Sequence, residues 1–131
     1  MGVLLRGPSG IGKSDLALRL IDRGAVLVAD DQVLLERDGE RLLASAPESL
    51  AGLLEVRGLG ILQFPHQEKA PIKLVIDLVE IREMERLPES VTEDFLGISL
   101  PLWTLSAREA SADIKVRLAM QRAAGLIMAA P

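Results

Sequence analysis

Residues Gly2 to Gly24 read GVLLRGPSGIGKSDLALRLIDRG, and the changes of pattern within that stretch decide the fold. GVLL is a short apolar run of the kind that forms a strand buried on both faces, and it closes in a glycine-rich turn. From Lys13 the spacing becomes helical. Leu16, Leu20 and Ile21 share a stripe, Asp15, Arg19 and Asp22 lie off it, and Gly24 supplies a C-terminal cap. Strand, glycine turn and helix in that order predict an α/β domain built on a mixed sheet with flanking helices.

The turn satisfies the Walker A pattern, Gly7-x-x-x-x-Gly12-Lys13-Ser14. Glycines let backbone N–H groups turn inward, and the helix N-terminus adds a partial positive charge where phosphate binds. Lys13 reaches terminal phosphate oxygens, and the Ser14 hydroxyl suits a magnesium ion held by the same oxygens. The candidate nucleotide-binding residues are therefore Gly7, Pro8, Ser9, Gly10, Ile11, Gly12, Lys13 and Ser14. This pattern alone does not separate hydrolysis from phosphoryl transfer to an acceptor.

Immediately downstream, AVLVA at Ala25 to Ala29 reads as a second buried strand, and Asp30 and Asp31 follow it directly. Ligand sites in α/β sheets lie at the carboxyl ends of parallel strands. One aspartate is then placed to take a proton from an attacking hydroxyl, while the other orients Lys13 or a metal-bound water. Further on, Asp38-Gly39 between apolar pieces predicts a β-hairpin. Ser45 and Glu48 form a capping box for a short helix running to about Leu54. GILQF at Gly60 to Phe64 reads as strand, and Ile72, Leu74, Ile76 and Leu78 mark one face of a well-buried central strand. Residues 82–95 read as a charged surface connection, and LGISLPLWTL as another strand edged by Pro101. A long amphipathic helix, with a stripe through Ile114, Leu118, Leu126 and Ile127, ends the chain.

With 131 residues, 49% of them hydrophobic and 26% charged, the chain fits a single globular domain, residues 1–131. There is no cysteine, so disulfides, thiolate nucleophiles and cysteine-based zinc sites are excluded. A net charge of -4 argues against binding nucleic acid backbones, and no apolar run reaches the length that spans a bilayer. The expectation is a cytoplasmic protein acting on neither nucleic acid nor membrane.

LEVRGLGI at Leu54 to Ile61 sets Glu55, Arg57, Gly58 and Gly60 close together between a predicted helix and strand. The acid suits a metal site and the arginine suits a transferring phosphate. GPSGIGKSDLALRLIDRGAVLVADDQV followed by APESLAGLLEVRGLGIL resembles the catalytic domain of the HPr kinase/phosphorylase family, most of all its short proteobacterial forms, over Gly2 to Leu62.

That resemblance implies a P-loop fold related to phosphoenolpyruvate carboxykinase. It further implies ATP, or pyrophosphate, as donor, with magnesium held by Ser14 and Glu55. Lys13, Asp30, Asp31, Glu55 and Arg57 become the catalytic set, and Asp30 and Asp31 match the acidic pair that includes the base. The acceptor is a serine of an HPr-like phosphocarrier protein, with a reverse dephosphorylation by phosphate, and the enzyme is a homo-oligomer, commonly a hexamer. The family usually carries a histidine on a strand upstream of the phosphate loop, which this chain starts too late to contain. Its longer members also carry a glycine-rich loop with an arginine where this chain has FPHQEKAPIK, leaving His66 and Lys69 as substitutes, and a Pro-Arg-rich segment of which Arg108 remains. The other readings are a nucleotide-sensing module without catalysis and a small-molecule kinase.

Overall fold

A computed structural model describes residues 1–130. The phosphate-loop stretch folds as its pattern predicts, with β1 (Gly2–Arg6) leading through the loop into α1 (Lys13–Asp22). The hairpin at Asp38-Gly39 is also present, as β2 (Leu34–Asp38) and β3 (Arg41–Ser45). The remaining elements are β4 (Leu53–Val56), β5 (Gly60–Gln63), β6 (Lys69–Leu78), β7 (Val91–Phe95), β8 (Ile98–Leu105) and α2 (Ala112–Ala123).

β6 is the hub of a six-stranded mixed sheet. It pairs in parallel with β1 and with β8, and antiparallel with β3, while β7 closes the far side against β8. β4 and β5 form a separate two-stranded hairpin. One core cluster joins Leu74, Ile76 and Leu78 of β6 to Leu16 of α1 and Val116 of α2. The other joins Ile72 and Val75 to Leu42, Ala44 and Leu100. The expected single face through Ile72 and Leu74 is thus broken. Between Gly2 and Val3 the register of β1 skips Lys73, and the extra residue switches which side the strand presents.

Four other expectations need correction. Ala25 to Ala29 is not a strand, because its backbone meets the loop at His66 and Gln67 rather than the open edge of β1. The segment keeps only an isolated bridge from Leu27 to His66 and leaves Val26 57% exposed. The predicted helix after Ser45 is a single 3-10 turn, Glu48–Leu50, without a side-chain cap, because the chain enters β4 at Leu53. The charged connection contains β7, whose Thr92, Glu93 and Asp94 pair along β8 and conceal an edge strand in polar sequence. Pro101 lies one residue before β8 begins pairing with β6 at Leu102, so its missing N–H breaks no bond to the hub.

The last helix is shorter than predicted and rotated. Its buried residues are Ala112, Asp113 and Val116, whereas Ile114 and Leu118 are exposed. Small side chains let α2 approach the sheet closely, and buried Asp113 faces Arg19 at 3.8 Å and Arg23 at 3.3 Å, linking the two helices. Arg122 lies 4.6 Å over the ring of half-buried Trp103.

Leu96 has a φ of 54°, and with Gly97 at 86° it forms the two-residue turn between β7 and β8. A leucine in the left-handed region costs about 1–2 kcal/mol, and this one is 58% exposed, so little burial compensates. Leu96→Asn is expected to stabilise the fold by about 0.5–1 kcal/mol, because asparagine tolerates that region better. Urea unfolding checks it, and a destabilised variant with unchanged slope contradicts it.

Candidate active site

The loop from Gly7 to Gly12 is held from below. Ile11 is 6% exposed and packs into the core between the sheet and the helices. A Cβ at Gly7 would meet Ile11 Cγ2 at 2.8 Å and the Leu78 carbonyl at 3.3 Å, so the loop's first residue fits against β6 only without a side chain. Gly12, at φ 99°, takes the left-handed turn into α1 and lies where an added Cβ would be 3.2 Å from Ala107. No side chain caps α1, and its first intrahelical bond runs from the Leu16 N–H to the Gly12 carbonyl at 3.0 Å. The N–H groups of the first turn have no intrahelical acceptor, which is the chemistry of anion binding.

Above the loop opens a cleft of about 1020 Å³. It gathers the main-chain loop residues Gly7, Pro8, Ser9, Gly10 and Gly12 with Lys13, Ser14, Asp30, Asp31, Glu55 and Arg57. The phosphate-loop, acidic-pair and Glu55–Arg57 candidates all line it except Ile11, whose side chain is buried in the core. His66 and Lys69 do not line it. The His66 ring nitrogen contacts the Phe64 carbonyl at 3.3 Å, and Lys69 pairs with Glu36 at 2.6 Å, so neither substitutes for a phosphate-handling arginine.

Glu55 and Arg57 reach the cleft by a different route from the one expected. Leu54 to Ile61 is not a helix end followed by a strand but the β4–β5 hairpin, with Gly58 and Gly60 at positive φ in and beside a three-residue turn. Leu54, 1% exposed, holds the hairpin to the body, and β4 packs against α1.

The two aspartates differ in environment. Asp31 is exposed, whereas Asp30 is half-buried on the wall between the cleft and a second, apolar cavity of about 400 Å³. That cavity runs between Val3 and Leu5 of β1, Leu20 and Ile21 of α1, and the extended segment Ala25 to Ala29. Burial pushes the Asp30 carboxyl above the usual carboxylate range. Lys13 pulls it back, and Asp31 and Glu55 add to the rise. Lys13 makes no ion pair among the described residues, and its ammonium remains available to a bound anion.

Two arginines complete the opposite wall, and the helical stripe gave no sign of the first. Arg19 donates to the Ala107 carbonyl at 2.6 Å and the Glu109 carbonyl at 3.3 Å, tying the segment after β8 to α1. Arg108 donates to the Gly10 carbonyl at 2.7 Å and pairs with Glu80 at 3.3 Å. Its bond to the phosphate loop joins elements 98 residues apart in sequence, which spacing alone does not reveal.

A glycine loop over a helix N-terminus, at the end of a parallel strand in a mixed sheet, defines a P-loop domain of the α/β class. The chain matches the family model described as HPr Serine kinase C-terminal domain over residues 1–122, and it belongs to that family. The HPr kinase/phosphorylase of Bordetella pertussis is 43% identical over 112 residues, covering 76% of this chain and 36% of that protein. The protein of the same name from Chlorobium phaeobacteroides is 40% identical over 114 residues, covering 78% and 34%. The solved structure of the Hpr(Ser) kinase/phosphatase from Coxiella burnetii matches with a TM-score of 0.83 and 31% identity, over 93% of this chain and 87% of that one. This chain spans about a third of the length of those two curated relatives.

Because Asp30 binds its proton more tightly when folded than when unfolded, its contribution favours the fold at low pH and is lost as pH rises through its raised pKa. Without nucleotide, Asp30→Asn is therefore expected to melt at a higher temperature than the wild type near neutral pH. The advantage should shrink as pH falls through the ordinary carboxylate range. Thermal melts from about pH 4 to about pH 7 check this; a variant no more stable than wild type at the upper end contradicts it.

Proposed function

We propose that this domain transfers the terminal phosphoryl group of ATP to a serine hydroxyl of an HPr-like phosphocarrier protein. The observation that carries the reading is the half-buried carboxylate of Asp30, facing the same cleft as the phosphate loop and Lys13. The names of the relatives supply the acceptor.

In this reading the triphosphate lies along the loop, its oxygens taking N–H groups from Gly10 to Ser14, while Lys13 binds the terminal group as a point charge. The serine oxygen attacks the terminal phosphorus and the bond to the bridging oxygen breaks, releasing nucleoside diphosphate. The hydroxyl proton passes to Asp30. A raised pKa suits that carboxylate to the task, since a base whose pKa lies closer to the working pH accepts a proton more readily. Asp31, more exposed, serves to orient Lys13 and the incoming hydroxyl.

Ser14 and Glu55 both line the cleft and carry hard oxygen donors, the kind that suits magnesium completed by waters and phosphate oxygens. When bound, such an ion neutralises charge on the transferring phosphate. Arg57 adds its guanidinium to the same region. In the reverse direction, inorganic phosphate attacks phosphoserine, the serine O–P bond breaks, protonated Asp30 returns its proton to the serine oxygen, and pyrophosphate leaves. The reading also treats residues 1–131 as one cytoplasmic catalytic domain that assembles with copies of itself, which the exposed Ile114, Leu118 and Leu126 support.

Labelled ATP, magnesium and a serine-containing HPr-type protein supply the test. Wild type is expected to label the serine. Asp30→Asn should lower turnover by about 10²- to 10⁴-fold while largely sparing nucleotide affinity, whereas Lys13→Ala should weaken both. Folded wild-type protein that binds ATP and labels no serine refutes the proposal and leaves a nucleotide-sensing module. Equal turnover in Asp30→Asn and wild type refutes the assignment of the base.

A further inference from the structure

The β4–β5 hairpin turns large apolar side chains to solvent beside the phosphate cleft, Leu59 and Ile61 most fully and Leu62 less. Leu59 is 73% exposed and Ile61 is 69% exposed. The hairpin that carries them is well held, by buried Leu54 and by the Phe64 N–H, which donates to the Gly52 carbonyl at 2.7 Å across its base. No third strand pairs with it among the described residues. Ile61 stands directly opposite Glu55 in the register, and directly opposed residues share a face. Ile61 therefore extends the surface of the carboxylate that lines the cleft. Leu59 sits in the turn beside Arg57, which lines it as well.

Single exposed apolar residues are ordinary, but two on one rigid rim beside a reactive cleft form a patch. A small acceptor would enter the cleft without touching the hairpin tip. A protein that delivers a serine hydroxyl to Asp30 must lay the surface around that serine over the rim. We propose that Leu59 and Ile61 dock the protein acceptor by covering an apolar patch that flanks its serine. This rests on the kinase reading above. Continuity of the hairpin face with Glu55 commits the surface to the acceptor rather than to a second copy, for which the exposed residues of α2, away from the cleft, are the separate candidate.

Steady-state transfer from ATP to an HPr-type protein is measured for wild type, Leu59→Ser and Ile61→Thr, with nucleotide affinity and sedimentation measured alongside. Threonine keeps the β-branched shape that suits a strand, so the second variant retains the hairpin if serine at the turn disturbs it. Each variant is expected to raise KM for the protein acceptor by about tenfold, with kcat at saturating acceptor and ATP affinity unchanged. Unchanged KM, or a fall in kcat at constant KM, overturns the docking role. So does a change in sedimentation with KM unchanged, which assigns the hairpin to self-association. An active wild type with unaffected variants overturns docking alone, whereas a folded wild type that labels no serine overturns the kinase reading and docking together.

Discussion

β1 runs parallel to β6 from Gly2 to Arg6, and β6 is buried on both faces, so the strand that feeds the phosphate loop has a fixed height and direction. Arg6, the last residue before the loop, adds a second constraint. Its guanidinium bonds Asp77 of β6 at 2.7 and 3.1 Å and Glu93 of β7 at 2.7 and 2.8 Å, and it lies 5.6 Å over the Phe95 ring. Doubly bidentate contacts of this kind are geometrically demanding, and the guanidinium holds the Glu93 carboxyl below its usual range. Strand, clamp and the close fit of Gly7 against Leu78 leave the loop little freedom where it starts, and Arg19 and Arg108 restrain the wall beside it.

The contrast between the aspartates follows from the same scaffold. Ala25 to Ala29 forms no ladder, keeping one bridge at Leu27, and carries the acidic pair to the cleft past an apolar cavity. The first acid stays against that space and the second emerges into solvent. The two acids thereby meet different surroundings, and burial raises the pKa of the half-buried Asp30.

Much of the frame was legible in the chain. The Walker A spacing names a structure in one stretch, because only a strand, a turn and a helix in sequence satisfy its glycines and apolar runs together. The β2–β3 hairpin and the buried β6 were equally plain. The misread segments depend on distant partners. AVLVA has strand composition, yet lacks a neighbour to pair with. VTEDF reads as loop because it is an edge strand, where polar side chains face water and only the backbone is spoken for. EVRGLGI suggested a helix end, since glycines close helices and hairpins alike. In α2 the bulky residues were taken for the buried stripe, whereas close helix packing selected Ala112 and Val116. Residue type and motif single out the acidic pair, Glu55 and Arg57 as candidates without giving their geometry, while Arg19 reads as plain helix surface because its partners are main-chain carbonyls of a remote segment.

Asp30 lines both the cleft and the apolar cavity beside β1. Any group that enters that cavity and removes water from behind the carboxylate alters how tightly the carboxylate holds a proton, and by reciprocity the proton alters how tightly the group is held. Occupancy of that cavity is thus tied thermodynamically to the acid–base state of the cleft, through Asp30 and Lys13, which line both spaces.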